Sequence, residues 1–316
     1  VENFDLQLNE TNPGLVVEGT INNKPGPYYV RLTLSNAGEI TSSGAVYPFT
    51  ENATPVMDAI VIVSDDERHV DTLNVIDFDE SEYTWEYGTG YFKLNWDENG
   101  NFLDTSYISD DLISCNKRGY YTTSSLIGSV GHTYTLEVFW GGDKYEASAY
   151  MEPVPEVDSV GYLKRTSEKD GQEYYVPLLS FKEPQDTVNY YLILLHQDSY
   201  YRSATGYSPS WDISILSDTY LEPYVDKLNV NLGYNPRGVE YPFMYSPGDS
   251  IYLSLNSLTS DSYDFYKVLV DQFDNDGGAY KPAPSSPPGN ISNGALGLFR
   301  ASAVSDGRIL IPFNDN

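Results

Sequence analysis

The stretch "GHTYTLEVFWGGDKYEASAYM", Gly131 to Met151, alternates apolar with polar side chains on both sides of Gly141-Gly142-Asp143. Strand side chains point to opposite faces in turn, so this spacing gives a sheet one apolar face and one face for solvent. Adjacent glycines supply the backbone conformations of a tight hairpin turn. The stretch therefore predicts two antiparallel strands, and the same rhythm recurs. "GLVVEGTI" (Gly14–Ile21) and "YYVRLTLS" (Tyr28–Ser35) flank the turn "NNKPGP". In the second of these, Val30, Leu32 and Leu34 face one way and Tyr29, Arg31 and Thr33 the other. "MDAIVIVSDD" (Met57–Asp66) and "HVDTLNVIDF" (His69–Phe78) meet at a polar turn, and "YTWEYGTGYFKL" (Tyr83–Leu94) follows. Short strands with turns between them indicate a β-sandwich.

Proline marks where that unit ends. In "EPVPEVDSV" (Glu152–Val160), Pro153 and Pro155 cannot donate to a ladder and favour extended chain, so a domain junction is expected there. Beyond it, "EYYVPLLSF" (Glu173–Phe181), "VNYYLILLHQ" (Val188–Gln197), "WDISILSD" (Trp211–Asp218) and "DSIYLSLNSL" (Asp249–Leu258) read as further strands. One helix is expected, near 260–273. Ser260 is placed to cap it, Asp261 and Asp264 suit its positive end, and Tyr263, Tyr266, Val270 and Phe273 form an apolar stripe. The expected fold is mainly β: a β-sandwich over 1–152, then a β-rich domain with one helix over 157–316. The 29 tyrosines, 25 glycines and 19 prolines of the 316-residue chain agree with that class.

Charge excludes several partners. Asp and Glu number 46 against 18 Lys and Arg, a net charge of −28, which repels phosphate backbones and anionic headgroups. No nucleic acid is expected. No apolar run reaches the roughly 18 residues of a spanning helix. The single cysteine, Cys115, allows no internal disulfide and reads as an inert, partly buried residue. The chain begins at Val1, which suggests that a leader precedes it.

The residues that carry chemistry are sparse. There are three histidines, His69, His132 and His196, and no Gly-x-Ser-x-Gly elbow. His69 sits beside a hairpin turn and His132 opens a strand, so both read as turn or surface residues. No ligand spacing suggests zinc. "DQFDNDGG" superficially resembles a calcium loop, but with Gly277 as its sixth residue the ligands would be Gln272, Asp274 and Asp276, and no Glu follows six residues later. No metal or other cofactor is expected. "HQDSYYRSATGYSPSW" places Tyr200, Tyr201, Arg202, Tyr207 and Trp211 in a loop. These are candidates for contact with a glycan or peptide, since aromatic faces stack on sugars and anchor protein partners.

"PPGNISNGALGLFRASAVSDG" (Pro287–Gly307) is nearly neutral and glycine-rich. The preceding "KPAPSSPP" cannot be the buried strand that a phosphate cradle requires. Ile291, Leu296, Leu298 and Phe299 call for burial, so the segment is read as a loop docked on the second domain and then a closing strand, Leu298–Val304. Gly297 is expected at a close backbone contact.

Three stretches carry a resemblance. "LVVEGTINNKPGPYYVRLTLS", "VGHTYTLEVFWGGDKYEASAYMEPVPEVDSV" and "PPGNISNGALGLFRASAVS" are similar to the opening, middle and closing signatures of a Bacteroidota lipoprotein family, domain of unknown function 4249. The resemblance implies an N-terminal immunoglobulin-like or transthyretin-like sandwich. It also implies attachment by an N-terminal lipid instead of a transmembrane segment, with genes often beside those of TonB-dependent receptors. No cysteine precedes Val1 in this chain, so the lipidated residue is expected just upstream. The expected function is a non-enzymatic, lipid-anchored protein of the outer-membrane surface, an accessory or substrate-capture partner of a TonB-dependent receptor. The alternatives are a stand-alone carbohydrate-binding or adhesion module, and an enzyme whose site carries no familiar motif. Asp-Ser/Thr-apolar triplets, the O-glycosylation pattern of Bacteroidota, place candidate sites at Thr72, Ser159, Thr187 and Ser250. The Asn-x-Ser/Thr triplets at Asn9, Asn52 and Asn290 are read as coincidental.

Overall fold

The computed structural model describes residues 13–35, 53–86, 90–166, 171, 173–196, 213–230, 245, 247–274 and 287–313. Its elements run β1 (Leu15–Asn22), β2 (Tyr29–Leu34), β3 (Thr54–Pro55), β4 (Ile60–Asp65), β5 (Val70–Thr72), β6 (Asn74–Val75), β7 (Thr84–Glu86), β8 (Gly90–Trp96), β9 (Phe102–Ile108), α1 (Asp110–Cys115), β10 (Tyr120–Thr122), β11 (Thr133–Trp140) and β12 (Asp143–Tyr150). They continue β13 (Val157–Thr166), β14 (Glu173–Lys182), β15 (Tyr190–His196), β16 (Ile213–Ser217), β17 (Tyr224–Asn229), β18 (Ser250–Leu258), α2 (Ser260–Asp274), β19 (Leu296–Ser302) and β20 (Val304–Leu310). The protein is mainly β, with α2 the one helix of seven or more residues among those described.

The Gly131–Met151 hairpin forms as its alternation dictates. β11 and β12 pair from Thr133↔Tyr150 to Trp140↔Asp143, and Gly141 and Gly142 turn between them at φ +63° and +89°. Positive φ at both positions matches the right-handed twist of the strands, which is why a glycine pair sits there. β12-β11-β4-β5 form one sheet, and β19-β1-β2-β10-β6, with β3 beside β2, form another. Val30 and Leu32 of β2, Val61 and Val63 of β4, and Leu136 and Val138 of β11 share one core between them. Asp71 fastens one rim of this core. Its buried carboxylate accepts from the backbone N–H groups of Ser124 (2.9 Å), Ser125 (2.7 Å) and Leu126 (2.9 Å). Burial works to raise its pKa, but these bonds outweigh burial and hold the carboxyl below its usual range.

In the second half, β13-β14-β17 and β16-β15-β18-β20 are separate sheets. β15 is apolar at nearly every position because both of its faces are covered. Tyr191, Ile193 and Leu195 enter a core shared with Leu179, Phe181 and Leu253, while Leu192 on the other face meets Phe265, Tyr266 and Leu269 of α2. Two details of α2 differ from the sequence reading. Thr259, not Ser260, caps it, its Oγ1 accepting from Ser262 N at 3.3 Å. Its buried line is Ser262, Phe265, Tyr266 and Leu269, with Tyr263 and Val270 flanking it.

The neutral C-terminal segment also departs from expectation. Its strand is Leu296–Ser302, and its ladder is with the first half: β19 runs parallel to β1, from Val16↔Leu296 to Asn22↔Ser302. Alternation explains why. Phe299 and Ala301 fill the first core, Leu298 packs with α2, and Arg300 is buried with its guanidinium 6.0 Å from the Tyr266 ring. A strand buried on both faces has no solvent side and so little use for charge. After Ala303 the chain enters β20, which pairs with β18 of the second half. The segment thus touches the second half where Leu298 meets α2, but it completes the first sheet instead of standing as a loop on the second domain.

Candidate functional site

Between β6 and β10 the chain leaves the body as an antiparallel finger, β7-β8-β9. Its root is firmly held. Phe78 N donates to Asn116 Oδ1 (2.9 Å), and Asn116 Nδ2 donates to Phe78 O (3.0 Å) and Glu80 Oε1 (2.9 Å). Phe78 meets Tyr83 edge-on with ring centroids 5.7 Å apart, and Cys115 is buried nearby with Tyr29 and Ile76. At the tip, Asp97 accepts from Asn99 N (2.9 Å), Asn101 N (2.7 Å) and Asn101 Nδ2 (2.9 Å). The Asn101 bonds hold its carboxyl below the usual range. The acid-rich "NWDENGNFLD" is therefore a capped turn.

Toward the tip, the ladder separates two chemistries. Phe92↔Tyr107, Leu94↔Thr105 and Trp96↔Phe102 lie on one face, with a bulge before Trp96. On the other, Trp85, Tyr91 and Ile108 lie toward the root, and Lys93↔Ser106 and Asn95↔Asp104 toward the tip. There Asn95 Nδ2 donates to Asp104 Oδ1 and Ser106 Oγ, both at 2.6 Å, and Lys93 Nζ lies 2.6 Å from Glu82, which holds the ammonium above its usual range. The first face is aromatic and open: Leu94 is 45%, Trp96 57%, Phe102 52% and Tyr107 68% exposed. Among the described residues from 77 to 114, none is buried. A sheet that buries nothing on either face is an unusual thing for a chain to keep.

A family model described as domain of unknown function (DUF4249) matches residues 1–308. The chain belongs to that family. No curated protein matches it. The finger lies between the first and second of the three stretches that carry the family resemblance, and "YTWEYGTGYFKL" spans both β7 and the first part of β8. The usable signal was the apolar alternation Phe92, Leu94, Trp96 continuing past Leu94 into an acidic turn.

The aromatic loop residues Tyr200, Tyr201, Arg202, Tyr207 and Trp211 lie outside the described residues, as do the side chains of Gln272, Asp274, Asp276 and His196. Thr72, Ser159 and Thr187 are exposed and Ser250 is half-buried at the start of β18; they lie on separate elements. The other two histidines, 63 residues apart in the chain, meet neighbouring aspartates of one turn. His69 Nδ1 is 2.7 Å from Asp65 Oδ2, and His132 Nδ1 is 2.7 Å from Asp66 Oδ1. Asp65, Glu67 and His69 bring three ligand atoms within 4.8 Å of one another, but Asp65 is spent on the turn, accepting from Glu67 N (3.0 Å) and His69 N (2.8 Å). A cleft of about 420 Å³ opens where Asn23 and Lys24 face Pro153, Val157 and Asp306. Its polar groups are engaged in closing the seam: Asn23 Oδ1 accepts from Val304 N (2.7 Å), Ser305 Oγ from Val157 N (2.8 Å), and Lys24 lies 3.3 Å from Asp306. No helix among the described residues is long and apolar enough to cross a membrane.

Proposed function

We propose that this family member is a non-enzymatic binding protein of the outer-membrane surface, an accessory or capture partner of a TonB-dependent receptor. The observation that carries a binding role is the finger: a rigidly rooted sheet that presents Leu94, Trp96, Phe102 and Tyr107 to its surroundings. Aromatic side chains clustered in this way are what stable protein contacts use as anchors. The choice of partner and of membrane rests on the family resemblance. The test is a pull-down of the full-length protein from native outer membranes, read by mass spectrometry. A TonB-dependent barrel recovered in near-stoichiometric amount is expected; recovery of the protein alone discards the receptor reading.

A further inference from the structure

We propose that the aromatic face of the finger is a docking surface for a basic protein surface, an apolar centre ringed by lysine or arginine. The proposal rests on the binding role argued above and names the chemistry of the partner. Charge complementarity selects it. Between residues 80 and 108 the finger carries six carboxylates and one ammonium, Lys93; Glu82 and Asp104 lie with that ammonium on the opposite face, which leaves Asp97 and Glu98 at the tip beside the aromatic face. Trp96 and Phe102 meet edge-on, with centroids 5.7 Å apart, directly beside the acidic tip that contains Glu98. A guanidinium or ammonium laid over Trp96 would meet the negative ring face and a nearby carboxylate together. The remaining apolar face would then lie against the centre of the partner.

The same geometry disfavours other occupants. A sugar ring stacked on an aromatic needs hydrogen-bonding groups converging on it. On this sheet Lys93, Asn95, Asp104 and Ser106 point to the opposite face, where Asn95 donates to both Asp104 and Ser106, and the aromatic face keeps the hydroxyls of Thr105 and Tyr107, with no amide, carboxylate or ammonium between its strands. An anionic lipid surface would have to accept Asp97 and Glu98 at the very end that leads into it. A second copy brings the same net charge of −28.

The test is a photo-reactive residue placed at Thr105 in the full chain, in cells that make the protein, with Ser106 on the other face as control. Adducts from Thr105 are expected on a protein segment where lysine or arginine flanks aliphatic residues, and few are expected from Ser106. The paired change Trp96→Ala with Phe102→Ala should cut the adduct by about tenfold or more. Glu98→Lys, which removes no apolar contact, should cut it several-fold, and raised salt should do the same. Because none of these side chains is buried, circular dichroism should be unchanged. Adducts on phospholipid or glycan, adducts on an acidic or neutral protein segment, or equal yields from the two positions would overturn the proposal. The two readings separate cleanly. A barrel recovered equally well by the double variant leaves the receptor reading standing and removes the docking surface. Adducts on a basic protein that is not a receptor do the reverse.

Discussion

Gly297 holds φ at +103°, and a Cβ built there would lie 2.0 Å from the carbonyl oxygen of Val17 across the β1–β19 ladder. Two backbones therefore meet where the sequence suggested they would, although the backbone on the other side belongs to β1. An L side chain at this position faces both an unfavourable φ and a carbonyl that the ladder holds in place. Gly297→Val is expected to cost about 3 kcal/mol, the upper end of what overpacking usually costs. The melting temperature should fall by several degrees, while the finger, whose residues lie far along the chain, keeps its adduct yield in the folded fraction. An unchanged melt together with lost partner contact would make the glycine-rich segment part of the binding surface. The contrast with Asp71 is instructive. A glycine announces its constraint in its identity, whereas nothing in "HVDTLNV" says that its aspartate caps three amides some fifty residues away.

At the scale of elements, what was legible was what alternates. β1, β2, β4, β11, β12, β14, β15 and β18 lie where apolar period and turn residues put them, because each has one face or both faces in a core. β13 and β17 escaped notice: Val157–Thr166 buries only Val160, so its pattern is weak. The finger was legible as strand but not as surface, since alternation does not say whether an apolar face will be covered. The β4–β5 turn shows the same limit for polar residues. Hydrogen bonding to Asp65, then its charge, raises the pKa of His69, and hydrogen bonding to Asp66 raises that of His132. Hydrogen bonds from His132 and Thr133 lower Asp66; for Asp65, burial pulls upward and the bonds from His69 and Glu67 outweigh it. The signs follow. The histidine contribution is complete below the unfolded value of about 6.5 and is lost as pH rises through the raised folded values. The aspartate contribution is complete above about 3.9 and is lost as pH falls below it. The turn is therefore best held between about pH 4 and pH 6.5. Replacing His69 and His132 together by Gln should lower the melting temperature near pH ~5.5 and have no effect near pH ~8.5. A difference that is independent of pH, or larger at alkaline pH, would show that the imidazoles contribute nothing through charge.

Among the described residues, the two largest cores are each visited twice by one chain. The chain leaves the first core after Met151, builds the second, and returns through 287–303 to complete the first before β20 closes the second. Ser257 fixes the crossing, its Oγ donating to Glu152 O (2.6 Å) and accepting from Ala303 N (2.9 Å). Glu152 in turn bridges to Ser302 in parallel. Cutting at the proline junction would therefore not yield a finished first unit. Residues 1–156 alone lack Ile291, Phe299 and Ala301 from their core and leave β1 as an unpaired edge. Loss of one buried phenylalanine costs about 3–5 kcal/mol, a large part of the stability of a domain of this size, and an open edge invites association. The isolated fragment is expected to bind a hydrophobic dye, to aggregate on warming and to melt without a sharp transition. Appending residues 287–303 through a flexible linker of about a dozen residues, enough to span roughly 20 Å, should restore a cooperative melt, because it returns β19 to its place beside β1. If 1–156 alone melts as sharply and as high as the intact protein, then β19 adds nothing that the first sheet needs, and the double threading is an accident of connectivity.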